Sequence, residues 1–486
     1  MANRLPKIFT IAVVIAMAIV TGWSQAPLAA DHFGLKDIPE IKNKKPIHIA
    51  LADLADICVP YLKKFEEKTG VKVSHEVIVF NALYGKEIME LQARTGAYDV
   101  VVTESSWTNE WKDYLYPMYD LAAKYDPKGI DGLKTYLAGF DPGMLRMAST
   151  RDRVLMGIPV QTYTMLMAYR KDIFDNAEEK ANFKKTYKYD LAPATTWEQI
   201  LDQAEFFTRK KGEKMAGKTL DHDMYGMSMM AGRYPHVQDE VGSRLWSKGG
   251  RWATTVRKAG MVVGDPIGFK VTEKDKALME WAFDNYQKSM KFAPPGSDNA
   301  YWDFACAEFS AGNTVILCPM YSSIWPLISP VEKKVAGAKV GAAVSPGMRP
   351  YTGNFHLSPS VDSKNPEAAY WLLKYLGSYE VQESMCDGGW ATPRVDVLSL
   401  PKYRAAKYQA TLGWIPEILE TFKSQASDAN DYLHFNSSAF GKLYDQMMIV
   451  SHENAIKKRT PKQSVEEWIR VFTQIQKKFG QLPVME

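Results

Sequence analysis

Apolar residues first gather, beyond the amino-terminal segment, at Ile47-His48-Ile49-Ala50-Leu51, a run with strand character. From Pro60 to Gly70 they follow helical spacing with a glycine stop. A second strand-like run covers Val71 to Val79, a helical segment covers Tyr84 to Arg94 and closes at Thr95-Gly96, and Tyr98 to Val102 reads as a buried strand. Strand, helix, strand, helix, strand at this spacing predicts right-handed crossovers in a parallel sheet covered by helices. Ligands bind beyond the carboxyl ends of such strands, which puts Thr103 to Trp107 at a ligand mouth.

Further along, Gly157 to Tyr163 leads into the apolar run Met165 to Phe174, and Thr195-Thr196 caps a helix opening at Trp197 with Glu198 near its positive end. Helical spacing returns over Lys274 to Lys288 and over Ala300 to Ala311, the latter stopped at Gly312 before a strand over Thr314 to Cys318. A turn-rich stretch from Pro346 to Asn354 precedes a helix opened by Asn365-Pro366, and the tail from Lys402 to Phe479 reads as several amphipathic helices. There is no internal repeat.

The 486 residues are 46% hydrophobic and 24% charged, enough to build a large core and too apolar for a disordered chain. The formal net charge is +4, and Arg4 and Lys7 lie in a leader-like segment, so little positive charge is left for binding a polyanion. No nucleic-acid partner is expected. Arg4 and Lys7 precede the apolar run Ile8 to Val20, and Ala26-Pro27-Leu28-Ala29-Ala30 follows, which is the three-part pattern of a secretory signal cleaved before Asp31. The run is well short of the roughly 20 residues that span a bilayer, and no cysteine follows it to carry a lipid anchor. A soluble periplasmic protein is expected. Cys58, Cys306, Cys318 and Cys386 have no CxxC or zinc spacing, so neither metal nor cofactor is expected. A helix turning at Gly312 into a strand would bring Cys306 near Cys318, the alternative being buried thiols.

Seven motifs stand in order: F-E-x-x-T-G-V-x-V at 65–73, G-x-Y-D-V-V at 96–101, G-I-P-V-x-x-x-x-M-L-M-A-Y-R-K-D-I-F at 157–174, T-T-W-E-Q-I at 195–200, W-S-K-G-G at 246–250, A-E-F-S-A-G-N-T-V-I-L at 307–317 and S-K-N-P-E-A-A-Y-W-L-L-K-Y-L at 363–376. In this order they resemble the family 1 extracellular solute-binding proteins, the sugar receptors of bacterial ABC importers that include maltose-binding protein, over nearly the whole chain from His48 to Phe479. The resemblance implies an α/β, two-lobed periplasmic binding protein fold of type II, each lobe a mostly parallel sheet flanked by helices. It implies three hinge crossings, near 159–163, 318–322 and 353–357. The lobes are then discontinuous: 31–160 with 321–355, and 161–320 with 356–486, after a signal peptide at 1–30. The chain is longer than a typical member, and the surplus falls in 203–260 and in the helical tail, where an insert would reshape the cleft.

The resemblance also implies function: a monomeric receptor, not an enzyme, that captures a carbohydrate (a mono- or oligosaccharide or polyol) by hinge closure and delivers it to membrane permease subunits. Sugars need aromatic platforms and planar polar groups. The predicted cleft loops offer Asn81, Tyr84, Glu104, Ser105 and Trp107 in the first lobe. Gln161, Tyr163, Tyr321 and Trp325 stand at the crossings, and Trp246, Trp302, Asp303, Asn354, Trp390 and Arg394 elsewhere around the cleft. Each has a structural alternative in hinge packing, helix capping or core filling. Two rivals remain open: a secreted carbohydrate-active enzyme, although no catalytic motif is present, and a binder of a polyamine, an iron complex or an organic anion.

Overall fold

The computed structural model describes residues 32–53, 55–261, 266–425, 433–437 and 439–478, so the expected signal peptide lies outside the described residues. Strand β1 (Ile47–Ala52) pairs in parallel with β2 (Val73–Ile78) and with β3 (Val100–Glu104). The intervening helix Val59–Thr69 buries Tyr61, Leu62 and Phe65, one helical stripe, and stops at Gly70, whose φ of +71° suits a residue without a Cβ. The predicted opening of the chain is thus a parallel unit.

Strand β4 (Ile158–Thr162) ends the first pass through this sheet, and β5 (Met165–Arg170) begins a second sheet. With β6 (Tyr225–Ser228), β7 (Thr314–Tyr321), β8 (Val340–Val344) and β9 (Asn354–Pro359), the two sheets have the orders β2-β1-β3-β9-β4 and β8-β5-β7-β6. The α/β class, the two-sheet plan and the mostly parallel sheets agree with expectation, with one antiparallel strand in each sheet. Strand β9 runs antiparallel between β3 and β4, and β5 runs antiparallel to both β7 and β8. A strand that enters a sheet directly from the other lobe has no crossover helix to turn it parallel.

Strand pairing overturns one expected crossing and moves the lobe boundaries with it. Tyr163 and Thr164 link the two sheets. Tyr321, however, ends β7 within the second sheet, and the chain stays there through β8, so there is no crossing at 318–322. The next passage comes at Pro350 to Gly353, between β8 and β9. The third follows Trp390, which packs in the first core, and precedes Val397 and Leu398, which pack in the second. Residues 321–350 therefore belong with the second sheet, and residues 354–390, including helix Pro366–Leu376, with the first. Apolar runs announce strands, but they carry no mark of the sheet they join.

Helices Pro235–Ser247, Glu273–Ser289, Phe440–Ala455 and Pro461–Lys478 pack on one another around the second lobe. The surplus residues thus build the lobe, and two of these helices, Pro235–Ser247 and Phe440–Ala455, also carry part of the site. No disulfide joins the four cysteines, and all four are buried. Burial pushes the thiols of Cys306 and Cys318 upward, away from the reactive thiolate. Among the described residues no helix is long and apolar enough to cross a membrane.

Candidate functional site

Glu104 is the last residue of β3, where the open-sheet rule places a ligand contact. Its carboxylate accepts hydrogen bonds from the Ser105 hydroxyl at 2.8 Å and the Ser106 amide at 2.7 Å, and also from the Ser106 hydroxyl. Two hinge tyrosines reach the same Oε1, Tyr163 from the first passage at 2.5 Å and Tyr351 from the second at 3.0 Å. So many donors orient the carboxylate before anything binds. Burial raises both tyrosine hydroxyls well above their ordinary value, and the nearby Glu104 charge adds to it, so they stay protonated donors.

The second lobe supplies a counterpart from helix Pro235–Ser247. Asp239 accepts from the Tyr321 hydroxyl at 2.5 Å and from the Gln238 amide. Burial raises its carboxyl well above the carboxylate range, helped by the Glu104 charge facing it and only partly opposed by these hydrogen bonds. His236 stands one turn earlier, its ring 4.6 Å from Tyr301 and 5.0 Å from Tyr321. Burial holds its imidazole down to about 3, so it is neutral near pH 7.

Between these walls lies a cavity of about 630 Å³, counting the part open to solvent. Phe80 and Phe355, their rings 5.8 Å apart, line it from the first lobe, and Tyr301 and Trp302, 5.3 Å apart, from the second. Tyr444, on the tail helix Phe440–Ala455, completes the wall. Polar acceptors at both ends and rings along the sides suit a compact polar guest.

Five residues expected from the sequence reach this wall: Glu104, Gln161, Tyr163, Trp302 and Tyr321. Three more stand one layer behind. Ser105 donates to Glu104; Asn354 is fully buried, its carbonyl 2.9 Å from the Tyr163 hydroxyl and its side-chain amide donating to Met144 O at 2.8 Å; Trp107 stacks behind Phe80 at 6.1 Å. Tyr84 donates to Glu110 at 2.6 Å and Asn81 is exposed, both off the wall.

The others serve the lobes. Trp246 is enclosed in the second core, and Trp325 is too, its indole N–H spent on Ala410 O at 2.8 Å. Trp390 donates to Val160 O at 2.7 Å from behind Gln161, and Asp303 is exposed, its carboxylate accepting from the Phe304 amide. Arg394 is fully buried and bidentate to Asp396 at 2.6 and 3.0 Å, over the Phe140 ring. A tryptophan in a loop pattern looks the same from sequence whether it faces a cleft or a core.

Sequence reading missed Asp53, Phe80, His236, Asp239, Tyr351, Phe355 and Tyr444. Asp53 follows the end of β1 and was available from the same rule as Glu104. Asp239 stands on a helix buried from His236 to Trp246, but its neighbours Gln238 and Glu240 are polar, so no local apolar pattern marked it. Nothing local marks Tyr351 or Tyr444, which the hinge and the tail bring in from far along the chain.

The model of the bacterial extracellular solute-binding protein family matches residues 52–383. A probable amino-acid ABC transporter periplasmic-binding protein of Sinorhizobium fredii is 22% identical over 348 residues, 70% of each chain. Three solved structures share the fold. A solute-binding protein of Agrobacterium radiobacter in complex with ribitol has TM-score 0.67 at 17% identity, covering 89% of this chain and 99% of its own. One of Agrobacterium vitis with bound D-mannitol has TM-score 0.67 at 19% identity, covering 90% and 99%. The maltose-bound protein of T. maritima has TM-score 0.66 at 18% identity, covering 89% and 100%. Identities this low speak for the fold, while the family match spans more than half the residues. This chain belongs to the bacterial extracellular solute-binding proteins, the receptors that serve ABC transporters.

Proposed function

We propose that this receptor captures a small carbohydrate or polyol between its lobes and hands it to the membrane permease of an ABC importer. The observation that carries the reading is the cavity itself. Glu104 on one lobe and Asp239 on the other are held by tyrosines of the passages and strands between them, so a guest touching both draws the lobes together. A ligand moves the open–closed balance only by preferring the closed form, and contacts with both lobes supply that preference. Carboxylates, Gln161 and Ser323 suit hydroxyl groups, and the rings of Trp302 and Tyr301 suit the apolar face of a sugar or the chain of an alditol. The solved relatives bound to ribitol, D-mannitol and maltose support this ligand class.

The amino-terminal segment supports export to the periplasm by a cleaved signal, and the protein works as a monomer without cofactor or covalent chemistry. A thermal-shift screen over mono- and disaccharides, alditols, polyamines, ferric citrate and sugar acids tests the ligand class. A ligand at about 100 times its dissociation constant adds about 2.7 kcal/mol of stability. Silence from every carbohydrate and polyol, with a shift from spermidine or ferric citrate, overturns the reading. Hydrolysis of a labelled oligosaccharide by the pure protein overturns the receptor role in favour of an enzyme.

A further inference from the structure

Three carboxyl groups, Asp53, Glu104 and Asp239, line the cavity, and among the described residues no Lys or Arg does. The imidazole on the wall, His236, is neutral near pH 7. The donors serving Glu104 and Asp239 are neutral hydroxyl, amide and backbone groups, so among the described residues no cation answers these acids, and burial keeps the Asp239 carboxyl raised until a guest supplies one. Carboxylates that face one another in a dry cavity find relief in a shared proton or in a cation between them. The same wall holds the rings of Tyr301, Trp302, Tyr321 and Tyr351, and a cation is attracted to the face of such a ring.

A second observation is independent of the acids. His236 is only 7% exposed, lines the cavity, and its Nδ1 has no hydrogen-bond partner. With the proton on Nε2, that atom is an acceptor waiting for an N–H or O–H. A buried polar atom left unpaired is costly, so a guest that donates to it recovers what folding gave up. Acceptors thus outnumber charged donors on every side of the cavity.

We infer that the solute is a compact hydroxylated amine, an amino sugar or amino alditol, whose cationic nitrogen sits between Glu104 and Asp239. This rests on the reading of the chain as a carbohydrate or polyol receptor and narrows it. An acidic sugar is excluded by the same charge, and a neutral alditol leaves the pair of acids without a counter-charge. The closing lobes then bring Asp239 to a charge that Glu104 has already engaged.

Matched pairs test it on the full chain by calorimetry: D-glucosamine against D-glucose, and 1-amino-1-deoxysorbitol against sorbitol, with spermidine and gluconate alongside. The amine of a pair is expected to bind at least about ten-fold tighter than its neutral partner, equivalent to about 1.4 kcal/mol. Glu104→Gln and Asp239→Asn are each expected to reduce that ratio toward one, and a thermal melt of each variant shows that it is folded. Neutral members binding as well as or better than the amines overturn the inference and leave the polyol receptor standing. Binding of spermidine alone removes the hydroxylated frame and the carbohydrate reading together, and no binding by any member overturns both.

Discussion

Lys374 and Asp126 form an ion pair inside the first lobe, and removing its cation is the sharpest test of how that lobe is held. The Lys374 ammonium lies 2.6 Å from Asp126 Oδ2, and both side chains are 2% exposed. It also sits over the rings of Phe33, Trp371 and Tyr136 at 4.5, 5.2 and 5.5 Å. Asp126 takes further hydrogen bonds from the Tyr370 hydroxyl at 2.8 Å and the Lys128 amide at 2.9 Å. Burial alone would raise the Asp126 carboxyl, but Lys374 and these donors outweigh it and hold it below its ordinary value. Lys374→Met keeps the apolar stem and strands the carboxylate. Breaking a buried pair on one side costs about 3–5 kcal/mol, and the lost ring contacts add to the cost, so about 4 kcal/mol is expected at pH 7.

The pH dependence has a definite sign. In the wild type the depressed carboxyl contributes stability above its unfolded value, near 3.8, and loses it as pH falls through the lower folded value. In the variant the stranded carboxyl is raised instead, and the protein recovers by taking up a proton. The deficit is therefore largest near pH 7 and shrinks toward about pH 4.5. Urea unfolding followed by tryptophan fluorescence at the two pH values measures it, and Asp126→Asn in the same chain is expected to restore much of the loss. A deficit under about 1 kcal/mol at pH 7, or one that does not change with pH, refutes the reasoning.

Three further outcomes are expected. Gly441 opens helix Phe440–Ala455 across from the first lobe, and a Cβ there would stand 3.1 Å from the Tyr84 hydroxyl and 3.2 Å from Glu110 Oε2. Gly441→Leu should wedge the lobes apart, enlarge the particle in small-angle scattering and weaken ligand binding about 5- to 150-fold, matching an overpacking cost of about 1–3 kcal/mol. Burial raises the Glu240 carboxyl to about 7, so the folded chain keeps a proton that the unfolded chain has released above about pH 4.5. This group therefore costs the native state increasing stability, on the order of 3 kcal/mol in all, as pH rises from about 4.5 to about 7, and Glu240→Gln should flatten that part of the stability profile. With a thiol reagent, the native protein should react slowly and the denatured protein should release four thiols; two would mean a disulfide.

Much of this molecule is visible in one dimension. The stop at Gly70 and the Asn365 cap on helix Pro366–Leu376 depend on neighbours a few residues away and stand where the pattern puts them, and the strand expected over Tyr98 to Val102 is present, running two residues further to Glu104. Glu104 was legible as a site residue because its position follows from strand direction alone. Arg394 and Trp246 were not legible as core, because what encloses them, the Tyr136 and Phe140 rings over Arg394 and the second core around Trp246, comes from far along the chain.

Hydrophobic periodicity and local capping thus determined the class of fold, the succession of its elements and one wall of the cleft, since these depend on interactions within a few turns of chain. The tertiary structure decided which sheet each later strand joins, where the chain passes between the lobes, and that Asp239, Tyr351 and Tyr444 meet Glu104 around one cavity. Those outcomes rest on contacts between residues far apart along the chain, and such contacts are selected by burial and packing of the whole chain, which leave no periodic trace in any single segment.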